Sequence, residues 1–170
     1  MSTTQDELAG SVEGWAEISN DGRYRYLLGR RWDASLPECT FIMLNPSTAD
    51  ARQDDPTIRR CINFAKSYGC GSLLVGNLYA FRATDPRDLF RADDPVGGEM
   101  NDEVLIDLLA RSELVIAAWG AHAHPSRVAE VLRLPGAERM LALATTKAGA
   151  PRHPLYLSKT VTPVVWKANQ

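Results

Sequence analysis

At 170 residues the chain has the usual length of one domain, and 45% hydrophobic with 24% charged residues is an ordinary globular composition. No apolar run approaches the roughly 18 residues that span a bilayer, and a net charge of −2 with pI near 5.9 excludes a uniformly basic surface made for phosphate backbones. Met1 to Gly10 lacks the basic start and apolar stretch of a secretion signal, so the cytoplasm is the expected compartment.

Residues 1–12 have no periodicity and no aromatic anchor, and read as a flexible leader to a single domain over 13–170. Tyr24 to Leu28 alternates aromatic and aliphatic residues with arginine, which predicts a strand. Cys39 to Leu44 is a nearly continuous apolar run that stops at Asn45-Pro46, which predicts a second strand buried on both faces. Asp54-Asp55-Pro56-Thr57 is a helix start; Ile58, Cys61, Ile62 and Ala65 share one face, and Tyr68-Gly69 closes the helix.

A strand follows over Leu73 to Gly76, ending on Asn77. Residues 83–98, rich in Asp, Pro and Gly, predict an ordered surface excursion. Asn101-Asp102-Glu103 opens a helix with Val104, Leu105, Leu108 and Leu109 on its apolar face. Leu114 to Ala118 is a short strand broken by Trp119-Gly120, a helix beginning near Pro125 carries Val128, Val131 and Leu132, and Leu141 to Ala144 is the last clear core strand.

Strands alternating with helices imply right-handed crossovers. The expected fold is α/β: a three-layer α/β/α sandwich with a short, mainly parallel central sheet. Ligands of such folds sit beyond the carboxyl ends of the strands. That rule selects Asn45, Asn77, Trp119 and Thr145, followed by His153.

Each candidate has a structural reading beside a functional one. Asn45-Pro46-Ser47-Thr48-Ala49-Asp50 offers an amide, two hydroxyls and a carboxylate, and is also a good turn with a cap. The Asn77 amide suits either a base edge or a loop carbonyl. Arg82 and Arg87 flank Thr84-Asp85-Pro86, for phosphate contact or for tying the loop down. His153 follows a loop rich in Gly and Pro and is positioned to donate to a developing anion, or is an ordinary loop histidine. From Met140 to Gln170 there is no acid, while Lys147, Arg152, Lys159 and Lys167 are present. This local positive field either steers an anionic ligand or balances the acidic first half.

Cys39, Cys61 and Cys70 form no Cys-x-x-Cys unit and are expected to be reduced, and His122 with His124 lacks an evident third ligand. No metal and no cofactor is expected.

The order of these segments resembles the uracil-DNA glycosylase superfamily over roughly residues 39 to 160. In that superfamily a strand runs into Asn-Pro or Asp-Pro, a second ends in a base-reading Asn, a third is followed by Gly-x-Ala, and a late loop carries His-Pro. The similar segments here are Leu44-Asn45-Pro46, Val75-Gly76-Asn77, Trp119-Gly120-Ala121 and Arg152-His153-Pro154. Gly76 to Arg82 with Pro86 is similar to a segment of the iron–sulfur branch, although no proline directly follows Arg82 and three cysteines cannot hold a four-cysteine cluster. His153-Pro154 runs on into Leu155-Tyr156-Leu157 where the superfamily has Ser-Pro.

The resemblance implies a glycosylase-like hydrolase, of the DNA-repair type, acting on the N-glycosidic bond of a base in nucleic acid or a nucleotide. It implies Asn45 and His153 as catalytic residues, the first positioning water and the second stabilising the departing base. Pro46, Ser47, Asp50, Asn77, Tyr79, Phe81, Arg82, Lys147 and Arg152 are the implied substrate contacts, with Tyr79 or Phe81 stacking on the base. The alternative is a non-catalytic module that holds a nucleotide or nucleic acid in the same pocket. Either way the partner is a nucleobase-containing ligand, DNA and RNA included, and not a membrane. Leu-Asn-Pro-Ser-Thr-Ala-Asp, Asp-Asp-Pro-Thr-Ile-Arg-Arg-Cys, Arg-Ala-Thr-Asp-Pro and His-Pro-Leu-Tyr-Leu together also resemble a bacterial domain-of-unknown-function family, number sixteen-forty-three, over most of the chain. That likeness implies no particular chemistry.

Overall fold

The computed structural model describes residues 12–168, so the expected leader lies outside the described residues except for Val12. The strands are β1 (Glu13–Ile18), β2 (Arg25–Arg31), β3 (Glu38–Met43), β4 (Ser72–Asn77), β5 (Leu114–Ala117), β6 (Leu141–Ala142) and β7 (Val164–Val165). The helices are α1 (Pro56–Ser67), α2 (Pro86–Arg91), α3 (Glu99–Arg111) and α4 (Pro125–Leu132). No helix among the described residues is long and apolar enough to cross a membrane.

The strands form one mixed sheet in the order β1-β2-β4-β3-β5-β6-β7. Its four central members, β4, β3, β5 and β6, run parallel, while β1, β2 and β7 join antiparallel. The expectation of a short, mainly parallel sheet is therefore corrected. The sheet has seven strands and is parallel at its centre only, because antiparallel edges extend it on both sides. β1 and β7 escaped the periodicity because each lies at an edge with much of its length exposed, so neither needs an unbroken apolar face. The last core strand is also shorter than the expected span to Ala144. Beyond Ala142 the chain turns to pair Ala144 O with Arg152 N and Thr145 with Pro151.

Alternation along β3 shows how the sheet is covered. Cys39, Phe41 and Met43 join a buried cluster with Ile58, Cys61, Phe64 and Ala65 of α1. Ile42 enters a second cluster with Leu105 and Leu109 of α3 and Val131 of α4. Burying each such aliphatic or aromatic side chain stabilises the fold by about 1.5–3 kcal/mol. The starts of α1 and α2 are set by proline in the first turn and an aspartate cap: Asp55 accepts from Ile58 N at 2.8 Å, and Asp85 accepts from Arg87 N at 2.8 Å. The excursion over 83–98 thus contains a helix of its own.

The carboxyl ends of β3 and β4 stay joined beyond the strands, with Leu78 N donating to Met43 O at 2.9 Å and Tyr79 N to Leu44 O at 3.0 Å. Asn101 of α3, fully buried, clamps this rim from behind: its Nδ2 donates to Asn77 O at 3.1 Å and Leu78 O at 3.2 Å. Arg127 of α4 adds a bond from Nε to Leu78 O at 2.8 Å. Asn101→Ala would take the side-chain donor from Asn77 O and leave Leu78 O only its bond from Arg127, for a cost of about 1–3 kcal/mol. Urea unfolding should show the unfolding free energy falling by that amount, with a lower midpoint at the same slope; an unchanged midpoint would mean that the clamp is redundant with Arg127.

Candidate functional site

A cleft of about 690 Å³ opens at the carboxyl ends of β3, β4 and β5. Met43, Leu44, Val75 and Asn77 come from the strands, Asn45 to Thr48 from the loop after β3, and Asp55 to Ile58 from the start of α1. Trp119 to His122, His153, Leu155 and Tyr156 also line it, as does Arg25 of β2. Asn45, Pro46, Ser47, Asn77 and His153, expected from the sequence to share a rim, are therefore brought together.

Asn77 is the last residue of β4, paired in register with Met43, and is 1% exposed. Neither its Oδ1 nor its Nδ2 has a hydrogen-bond partner. A buried amide with both ends unpaired within the protein carries a penalty of about 1–3 kcal/mol per group, and Asn77 is among the residues that line the cleft.

Asn45 is the opposite case. Its Nδ2 donates to Pro46 O at 3.1 Å, Phe81 O at 3.3 Å and Ala83 O at 2.8 Å. Three carbonyl acceptors identify that atom as the nitrogen, since an oxygen has nothing to donate. The side chain is locked, and Oδ1 is left as an acceptor.

His153 is half-buried on a loop stapled at its base. Gly120 N donates to Pro151 O at 2.8 Å and Arg152 N to Ala144 O at 2.9 Å. Its Nδ1 accepts from Leu155 N at 3.2 Å, so in the neutral ring the proton sits on Nε2. Burial pushes its pKa below the ordinary 6.5, opposed by the Asp55 carboxylate. Tyr156 follows at positive φ of 75° and is 91% exposed at the mouth.

Other expected contacts are placed elsewhere. Asp50 accepts from Arg52 N at 2.8 Å and Gln53 N at 2.9 Å, which makes it a turn cap. Tyr79 is buried, accepts from His124 N at 3.2 Å and meets the edge of Phe90. Phe81 packs edge-on against Tyr24. Neither ring lines the cleft, so neither is placed to stack on a ligand there; the aromatic side chains that do line it are Trp119 and Tyr156. Arg82 ties loops together through Ser47 O and Gly22 O, each at 3.3 Å. Lys147 and Arg152 are exposed and lie outside the lining. His122 lines the cleft whereas His124 caps α4, and among the described residues no group of three His, Cys, Asp or Glu could hold a metal.

The two ionised lining residues, Asp55 and Arg25, are among those that escaped the sequence reading as site residues. Asp55 is the one carboxylate among the described residues of the cleft. A signal for it existed: in a strand-helix-strand crossover the helix begins near the carboxyl end of the strand before it, so the cap of α1 had to lie beside Asn45.

The family model described as "Protein of unknown function (DUF1643)" matches residues 25–155. No curated protein and no solved structure matches the chain.

The depressed pKa of His153 makes stability depend on pH. Between the folded value and 6.5 the unfolded chain binds more protons, so the contribution is complete above 6.5 and is lost as pH falls through the folded value. His153→Gln should therefore lose less melting temperature than the native chain between about pH 7.5 and about pH 5. Parallel losses in the two proteins would show that the ring is protonated as easily folded as unfolded.

Proposed function

This chain belongs to the DUF1643 family, and we propose that its cleft recognises a nucleobase and hydrolyses the N-glycosidic bond that holds it. The observation that carries this reading is the Asn77 amide, buried at the end of β4 with donor and acceptor both free. The edge of a base presents a matched acceptor and donor in one plane, and entry of such an edge would satisfy both atoms at once. Trp119 and Tyr156 offer aromatic faces on the same walls. The covering of β3 by α1 on one side and α3 and α4 on the other is in keeping with a three-layer α/β/α sandwich like that of the uracil-DNA glycosylases.

In this reading Asn45 Oδ1 accepts from the attacking water and orients it. Water oxygen bonds to the anomeric carbon as the carbon–nitrogen bond breaks, and the bonding pair leaves with the base. The Nε2–H of His153 donates to the base oxygen on which charge develops, an electrostatic role suited to a neutral imidazole. The proton lost by water passes to the Asp55 carboxylate and then to the departing base. Asp55 suits this better than Asn45, because an amide is too weak a base to take a proton.

The test is incubation of the protein with nucleotides and with single-stranded oligonucleotides containing deaminated bases, reading base release by chromatography. Asp55→Asn keeps an equally good helix cap and should lower release by about 10²- to 10⁴-fold with binding retained. Asn77→Ala should weaken binding by about 10- to 100-fold, the equivalent of two lost hydrogen bonds. Tight binding with no release would make this a nucleotide-binding module. Binding indifferent to the base would overturn the reading altogether.

A further inference from the structure

Three arginines among the described residues are almost wholly buried: Arg25 at 2%, Arg30 at 3% and Arg127 at 4% exposure. Two have carboxylate partners. Arg30 pairs with Asp54 at 2.9 Å and also donates to Gly29 O, Asp50 O and Gln53 O. Arg127 pairs with Asp102 at 2.7 Å and Glu130 at 3.0 Å while donating to Leu78 O. The Arg25 side chain has one hydrogen bond, from Nη1 to Ala49 O at 2.9 Å, no ion pair, and a buried Nε with no acceptor. It is also the member of the three that lines the cleft.

An unpaired buried charge is far costlier than a paired one, and the surroundings of Arg25 do not remove the difference. Burial pulls its pKa down to about 10, which leaves it charged at neutral pH. Asp55 and Asp50 act on it favourably and Arg82 and Arg30 unfavourably. Both acids are engaged with backbone N–H groups, Asp50 at Arg52 and Gln53 and Asp55 at Ile58. Thr57, in the first turn of α1, lines the same cleft, near the positive end of the helix dipole.

We propose that Arg25 is the phosphate-binding residue of the cleft, and that the ligand is a mononucleotide rather than a free base or a nucleoside. The phosphate oxygens complete the hydrogen bonding of the guanidinium, whose planar fork matches them. The cleft, at about 690 Å³, is of the size that holds one small-molecule ligand. The nucleotide assignment rests on the nucleobase reading above; the phosphate site stands on Arg25 alone.

Calorimetric titration of the full chain separates the two. The probes are the four ribonucleoside 5′-monophosphates, their nucleosides, ribose 5-phosphate, inorganic phosphate and a short single-stranded oligonucleotide. A monophosphate should bind about 10- to 100-fold tighter than its nucleoside, the range expected of a charge-assisted contact. Arg25→Met should erase that gap, and Arg25→Lys should restore only part of it. Without ligand, Arg25→Met should melt within a few degrees of the native chain, because the charge it removes has no ion-pair partner and the one side-chain bond it breaks is that to Ala49 O. Equal affinity for nucleoside and monophosphate, a gap that survives Arg25→Met, or a sharp fall in its melting temperature would each overturn the proposal. Tighter binding of the oligonucleotide than of every mononucleotide would overturn the mononucleotide assignment. Ribose 5-phosphate held through Arg25 with no gain from any base would uphold the phosphate site while the nucleobase reading fails.

Discussion

The parallel register of β3 and β4, which sets Met43 against Asn77, is the constraint on which the rest of the cleft depends. Side chains alternate faces along a strand, so a slip of one residue would turn Asn77 to the opposite side and bring Gly76 to its place. The register is held from several directions. Leu73 and Val75 sit in the cluster that α1 covers, the paired backbone continues to Tyr79, and Asn101 and Arg127 grip the carbonyls of residues 77 and 78 from the helices behind. The position of one unpaired amide is thus settled by core packing and backbone bonds rather than by any bond of its own.

The other wall is built by different means. The chain from 44 to 55 has no regular secondary structure, so its carbonyls lack the partners a sheet or helix would provide. Arginines supply them: Arg82 at Ser47, Arg25 at Ala49, and Arg30 at Asp50 and Gln53. A guanidinium carries five donors and no acceptor, which suits it to gathering carbonyls. In Arg30 the carboxylate of Asp54 balances the charge that this work brings in. Arg25, which lines the cleft, has no ion pair to do the same.

How much of this could be read from the sequence follows from the range of each interaction. The apolar run Cys39 to Leu44 and the helix face of Ile58, Cys61 and Ala65 announce themselves because burial imprints a local period. Asn45, Asn77 and His153 were legible as rim residues because strand ends in an alternating pattern share one edge. Tyr79 and Phe81 were misread as stacking groups because the pattern cannot tell which apolar partner a ring will find, and each found one away from the cleft. Arg25 was read only as part of a strand. What distinguishes it from Arg30, five residues along the same strand, is the absence of a carboxylate brought from the 50–54 turn, a fact of tertiary placement with no local trace.

The three bonds from Asn45 Nδ2 have a consequence for sequence change. Asparagine and aspartate are close to the same size, and exchange between them is usually sterically free. At position 45 an aspartate would set an oxygen against the carbonyls of Pro46, Phe81 and Ala83, three acceptors with no proton among them. The loop at 81–83 would have to separate from the loop at 45–46 to admit it, undoing the Ala83 N to Pro46 O bond as well. A substitution that elsewhere turns an amide into a carboxylate at little steric cost is therefore opposed here by the hydrogen-bond geometry of two loops at once.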